Sequence, residues 1–174
     1  LIDMIAKLKG SLTIFTLDTG RLHEETYELM DRVRSKYGLE IKTYFPDRDK
    51  IENLVREKGF FSFRESVDNR KECCYIRKVE PLNRALGELK AWITGLRRSQ
   101  GVTRTDIPKV LEDANHPFLI KINPLAEWSE EQVMNYIIEN NLPINILPKR
   151  NYPSIGCDPC TRAVKHGEDI RAGR

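Results

Sequence analysis

Strand-like and helix-like stretches alternate along this chain, and that alternation restricts its fold more than any other feature. The apolar run SLTIFTL (residues 11 to 17) reads as a buried strand. HEETYELMDRVRSKYG (23 to 38) follows as an amphipathic helix, with acids in its first turn and Gly38 at its end. LEIKTYF (39 to 45) is a second strand stopped by Pro46, and DKIENLVREKG (49 to 59) a second helix. AWITG (91 to 95) and FLIKINPL (118 to 125) read as a third and a fourth strand, and Ser129 with Gln132 has the spacing of a capping box that starts another helix. This order predicts an α/β fold, a parallel twisted sheet with helices on both faces, in which ligands bind beyond the carboxyl ends of the strands. The loops so singled out are LDTGR (17 to 21) and TGLRRSQGVTR (94 to 104). After the last helix, LPINILPKRNYPSIGCDPCTRAVKHGEDIRAGR is rich in Pro, Gly and Arg and reads as an irregular, site-building tail.

At 174 residues, 40% hydrophobic and 32% charged, the chain has the composition of one compact domain, here taken as residues 1 to 174. A net charge of +3 is too mild to argue for a nucleic-acid partner. No apolar run approaches the roughly 18 residues that span a bilayer, and LIDMIAKLKG lacks the order of a signal peptide. A cytoplasmic setting is expected, where thiols stay reduced and clustered cysteines point to metal or redox chemistry.

The chain has four cysteines in two pairs: Cys73 and Cys74 adjacent in VDNRKECCYIRKVEPL, Cys157 and Cys160 in YPSIGCDPCTR. Adjacent side chains on a strand point to opposite faces, whereas on a helix they are offset by about 100° and can reach one bulky group. A helix over 70–80 is therefore expected, with Arg77 one turn beyond Cys73 and Lys78 one turn beyond Cys74, two cations over two thiolates. The two-residue spacing of Cys157 and Cys160 lets a turn present both sulfurs to one centre. Three readings of the set stay open. A zinc ion is strained by a directly adjacent pair, an iron-sulfur cube has more room for one, and a Cys-x-Pro-Cys redox pair would normally open a helix early in the chain.

FTLDTGRLHEETY, KECCYIRKVEPL, WITGLRRSQ, INPLAEWSEEQV and YPSIGCDPCTRAV with GEDIRAGR together resemble the sulfonucleotide reductases, specifically the iron-sulfur adenylylsulfate (APS) reductases of sulfate assimilation. The resemblance implies an adenine-nucleotide alpha-hydrolase fold, related to ATP pyrophosphatases. It also implies a [4Fe-4S] cluster ligated by Cys73, Cys74, Cys157 and Cys160. By the same resemblance Leu17 meets adenine through its backbone and Gly95 the ribose, while Lys78, Arg104, Arg171 and Arg174 surround the phosphosulfate, a dense anion that suits charge-assisted donors. Asp18 is expected to order the strand-end turn. Of Arg97 and Arg98, one is expected to face the site and the other a carboxylate. His23 and His166 read as surface or supporting histidines, and His116 as a loop residue.

The implied reaction is reduction of APS to sulfite and AMP through an enzyme S-sulfocysteine, with a thioredoxin or glutaredoxin-type reductant, in the cytoplasm or in a plastid for a plant chain. An assembly of identical chains stays open. Two family features are expected outside this sequence: a glycine-containing phosphate loop before LIDMIAKL, and the nucleophilic cysteine of a C-terminal tail, so that no catalytic residue is assigned among the 174. Alternatives are a phosphoadenylylsulfate (PAPS) reductase or an adenylating enzyme of the same superfamily, and a non-catalytic, metal-stabilised nucleotide-binding domain.

Overall fold

The computed structural model describes residues 1–8, 12–100 and 106–174. The chain divides into two compact units, residues 1–11 with 88–144 and residues 12–87 with 145–174.

In the second unit, β1 (Ile14–Leu17) and β2 (Ile41–Tyr44) pair in parallel, Ile14 opposite Ile41 and Leu17 opposite Tyr44. The connection is α2 (Glu24–Tyr37), which ends as the sequence expects: Gly38 takes a left-handed φ of 60°, open to a residue without Cβ, and the Leu39 N–H closes on the Arg34 carbonyl at 3.2 Å. α3 (Arg48–Lys58) is capped by Asp47, whose carboxylate accepts from the Lys50 N–H at 3.0 Å.

The cysteine-bearing segment is helical, but not uniformly so. α4 (Val67–Cys74) starts at Ser66, whose hydroxyl accepts from the Asn69 N–H. A π-helical turn, Tyr75–Val79, follows and leads into α5 (Glu80–Leu86). Pro81 explains the wide turn: it has no N–H for the carbonyl four residues back, that of Arg77, and its ring crowds that carbonyl, so the preceding turn opens. The fully buried Pro81 ring rewards this distortion with apolar packing. The regular spacing expected over 70–80 is thereby replaced by a wider one, and it is Arg77, not an exposed residue, that turns inward.

In the first unit, α1 (Ile2–Lys7) follows the helical reading of LIDMIAKL. β3 (Ala91–Ile93) runs parallel to β5 (Ile120–Ile122), and β4 (Val110–Glu112), which the sequence reading did not anticipate, pairs antiparallel on the far side of β5. α6 (Glu130–Glu139) opens with the full capping box: Ser129 Oγ accepts from the Gln132 N–H at 3.1 Å, and Gln132 Oε1 accepts from the Ser129 N–H at 2.8 Å. We expect S129A to cost about 1 kcal/mol, which for a chain of this size lowers Tm by about 2–4 °C in thermal unfolding followed by circular dichroism. Tyr136 on α6 donates to Asp3 Oδ2 at 2.6 Å and so ties the helix to α1. The parallel pairs with intervening helices bear out the α/β class, seen here as a two-stranded and a three-stranded sheet. No described helix is long and apolar enough to cross a membrane.

Candidate metal and anion site

The loop after β1 is held by its own side chains. Asp18, 5% exposed, accepts from the Gly20 N–H at 2.7 Å and the Tyr27 hydroxyl at 2.9 Å, the ordering role expected of it. Thr19 is 2% exposed; its carbonyl accepts from Arg77 Nη1 at 2.6 Å, and its hydroxyl accepts from the Cys157 thiol at 3.3 Å. Both cysteine segments are thus anchored on one residue of a loop far from either in sequence.

Cys73 and Cys157 are buried, Cys74 and Cys160 half-buried, and all four are free thiols. Cys73 forms an apolar core with Leu54 and Phe63, against which Ile76 and Cys160 pack. Burial pushes the Cys160 thiol above its ordinary pKa, and the proximity of Cys157, Cys73 and Cys74 adds to that, while Arg70 opposes it. A positive centre beside Cys160 would favour its thiolate. Arg77, 7% exposed, is the buried cation beside them: burial, then the charge of Arg21, lowers its pKa, and Cys73 and Cys157 oppose the shift. Its Nε is buried without a hydrogen-bond partner and so is free to face an acceptor in the site.

Among the described residues, no three Cys, His, Asp or Glu side chains are placed to hold a single metal ion. A tetrahedral zinc at about 2.3 Å from each sulfur needs sulfurs about 3.8 Å apart, whereas a polynuclear cluster accepts a wider set. The donor chemistry, four soft thiols and no carboxylate, fits iron-sulfide better than a hard cation.

Cys157 and Cys160 flank a short 3-10 turn, Asp158–Cys160. The Thr161 hydroxyl donates to the Cys157 carbonyl at 2.7 Å and accepts from the Gly156 N–H at 3.1 Å, which closes the turn. Beyond it the chain doubles back: the Arg162 N–H donates to the Gly173 carbonyl at 2.9 Å, and a Cβ at Gly173 would stand 2.3 Å from the Arg162 carbonyl oxygen, so only glycine allows this approach. Arg174 is thereby returned to the cysteine turn, its Nη1 donating to Ser154 Oγ at 3.2 Å. Beside it opens a cavity of about 450 Å³ lined by Cys160 and by Arg64, Arg70, Arg162 and Arg174. Arg162 is bound to Glu168 through two contacts of 2.8 and 3.0 Å, and Arg64 lies over the Phe61 ring.

The remaining expected residues are placed less uniformly. Leu17 ends β1, the half-buried Lys78 lies on the π turn, and Arg171 is exposed on the turn before Arg174. Gly95 lies exposed two residues past β3, in the other unit. Arg104 lies outside the described residues. Arg97 and Arg98 both meet carboxylates, Arg97 with Glu130 at 2.6 Å and Arg98 with Glu127 at 3.7 Å, because α6 and the turn before it present acids to that loop. His116 sits in the β4–β5 turn against Asp113 at 3.0 Å. His23, read as a surface or supporting residue, is 7% exposed and bonded to Asp158. The sequence reading had not assigned Thr19, Arg70 or this pair; for Arg77 the spacing from Cys73 was the available signal.

The unit that carries the parallel β1–β2 pair also carries all four thiols and the arginine-lined cavity beside Cys160, the features of an α/β protein with a thiol-containing site. The phosphoadenosine phosphosulfate reductase domain matches residues 1–163, and the chain belongs to that family. It is 52% identical to the adenosine 5'-phosphosulfate reductase of Burkholderia cepacia over 161 residues, covering 92% of this chain and 64% of the relative. With the enzyme of the same name from Neisseria meningitidis serogroup B it shares 52% identity over 173 residues, 99% of this chain and 70% of the relative. Among solved structures it is similar to the PAPS reductase of Candida auris, with a TM-score of 0.77, 32% identity, and coverage of 91% of this chain and 74% of that one. A likeness to the FMN adenylyltransferase of Candida glabrata, TM-score 0.58 at 19% identity and covering 87% of this chain and 45% of that one, concerns the fold alone.

Proposed function

We propose that the chain is the core of an APS reductase, which reduces adenosine 5'-phosphosulfate to sulfite and AMP in sulfate assimilation. The observation that carries the reading is the burial of Cys73 and Cys157 as free thiols in one unit, with Cys160 packed against the core that Cys73 forms. Relatives named for this activity, 52% identical to the chain, support it.

Cys73, Cys74, Cys157 and Cys160 would hold a [4Fe-4S] cluster, whose contribution when bound is a fixed anionic centre joining the two cysteine segments. Arg77 balances that charge from within the fold. With all four cysteines so committed, the thiolate that attacks the sulfur of APS is none of them. That attack forms the S–S bond of an S-sulfocysteine and breaks the S–O bond to AMP, which leaves with the electron pair. A thioredoxin or glutaredoxin-type dithiol then reduces the S-sulfocysteine, releasing sulfite and becoming a disulfide. Leu17 and Gly95 would meet the nucleoside, and Lys78, Arg104, Arg171 and Arg174 the phosphosulfate, where cations stabilise charge on the leaving AMP. Reduced thiols of this kind suit the cytoplasm.

Lys78 should matter to chemistry and not to the metal. We expect K78A to lower kcat/KM for APS by about 10²-fold, the scale of a lost charge-stabilising donor, with iron content unchanged; equal losses of both would reject the role. The likeness to a PAPS reductase favours a second reading, in which the 3'-phosphorylated nucleotide is the substrate. Calorimetric titration with each nucleotide decides between them. Tighter binding of APS, accompanied by sulfite release, supports the first reading, and preference for PAPS supports the second.

A further inference from the structure

We propose that His23 and Asp158 form a latch that fixes the Cys157–Cys160 turn on the loop after β1, which makes them a positioning pair for the thiol site. The proposal rests on the four-thiol reading given above. His23 stands at the N-cap of α2, yet its side chain makes no capping bond. Its ring is nevertheless buried, with a side-chain exposure of 6%, and the Tyr152 ring packs against it edge-on at 5.8 Å. Burying an imidazole with one nitrogen unpartnered is costly, and Nε2 has no partner. What the ring gains is one bond: Nδ1 lies 2.9 Å from Asp158 Oδ1.

The carboxylate itself is 66% exposed and would be well solvated without the histidine. The consequence of the pair is therefore geometric. Asp158 is the first residue of the 3-10 turn between the two cysteines, and its N–H donates to the Arg21 carbonyl at 2.8 Å. With the Cys157–Thr19 bond at 3.3 Å, the turn is held at three points on residues 19 to 23, and the His23 contact is the one made by a charged side chain. In the tautomer that carries a proton on Nδ1, the ring donates to the carboxylate.

The test compares the parent protein with H23L, H23N, D158A and the H23L/D158A double variant. Release of iron to excess ferrous chelator under anaerobic conditions is followed for each. Loss of a group that orients a ligand typically costs 10–100-fold in metal affinity, so H23L and D158A should each release iron about 10-fold faster. The double variant should be no faster than either, because the two act as one unit. H23N should return release to within about 2-fold of the parent, since its amide N–H replaces Nδ1–H. Additive effects, or a D158A protein that releases iron as the parent does, overturn the proposal; Asp158 is exposed enough that D158A tests it even where H23L fails to fold. A protein that purifies without iron and sulfide contradicts the four-thiol cluster reading, and the latch is then judged by maleimide labelling of Cys160 in the metal-free chain. Faster labelling in D158A supports it, and an unchanged rate overturns it.

Discussion

C157S should purify with less than about a tenth of the iron and sulfide of the parent protein and release sulfite from APS at least about 10³-fold more slowly, an effect larger than the 10–100-fold that supporting residues of metal sites show. Cys157 is buried, bonded to Thr19 and carried on the turn that also positions Cys160, so its replacement removes one donor and loosens a second. Serine preserves the shape and the hydrogen bond to Thr19 but offers a hard, weakly acidic oxygen where a soft thiolate is needed. Iron and sulfide assay beside a sulfite-release assay checks both parts. A C157S protein with full iron would remove Cys157 from the ligand set.

Replacement of Arg77 is the second large effect. Its guanidinium donates to the Thr19 carbonyl at 2.6 Å inside a loop that is itself buried, and it is the cation lodged beside Cys73 and Cys157. R77M leaves that carbonyl without a donor and the sulfurs without the charge. A charged hydrogen bond contributes about 1.5–3 kcal/mol, so Tm should fall by about 3–12 °C at the roughly 2–4 °C per kcal/mol typical of this chain length. R77K should recover only part of the loss, because a compact ammonium on a different stem does not reproduce the planar guanidinium's reach to the Thr19 carbonyl. Differential scanning calorimetry of the three proteins reads the series directly. An R77M protein as stable as the parent would mean that Arg77 is not a structural part of the site.

Local signals in the sequence were read with success where one segment decides its own structure. The strand, helix and Gly38 sequence around residues 14 to 38, the helix after Pro46 and the Ser129–Gln132 box are of this kind, since each depends on residues within a few positions of one another. β4 escaped because three residues, Val110–Glu112, carry too little alternation to stand out, and the strand exists only through pairing with β5. The helical setting of Cys73 and Cys74 was readable, but the π turn was not drawn from Pro81, although the missing N–H is a property of the sequence. The partner of Arg97 was not legible: Glu130 lies 33 residues away, and no local rule selects one distant carboxylate.

The site divides along the same line. Family resemblance supplied the four cysteines as a set, and the fold packs Cys160 against the core that Cys73 forms. The contacts that seat them, Arg77 on Thr19, Cys157 on Thr19 and His23 on Asp158, span 58, 138 and 135 positions of the chain, and only the folded backbone makes them neighbours. His23 shows the difficulty well, because a histidine ahead of two glutamates looks like an exposed helix start until the cysteine turn is laid over it.

The central claim is that the four cysteines hold one iron-sulfur cluster. Anaerobic purification followed by iron, acid-labile sulfide and zinc analysis, with a visible absorption spectrum, addresses it without any assumption about substrate. About four irons and four sulfides per chain, with a broad sulfide-to-iron absorption band, is the result predicted for a [4Fe-4S] site held by four thiolates. One zinc per chain and no sulfide would contradict it.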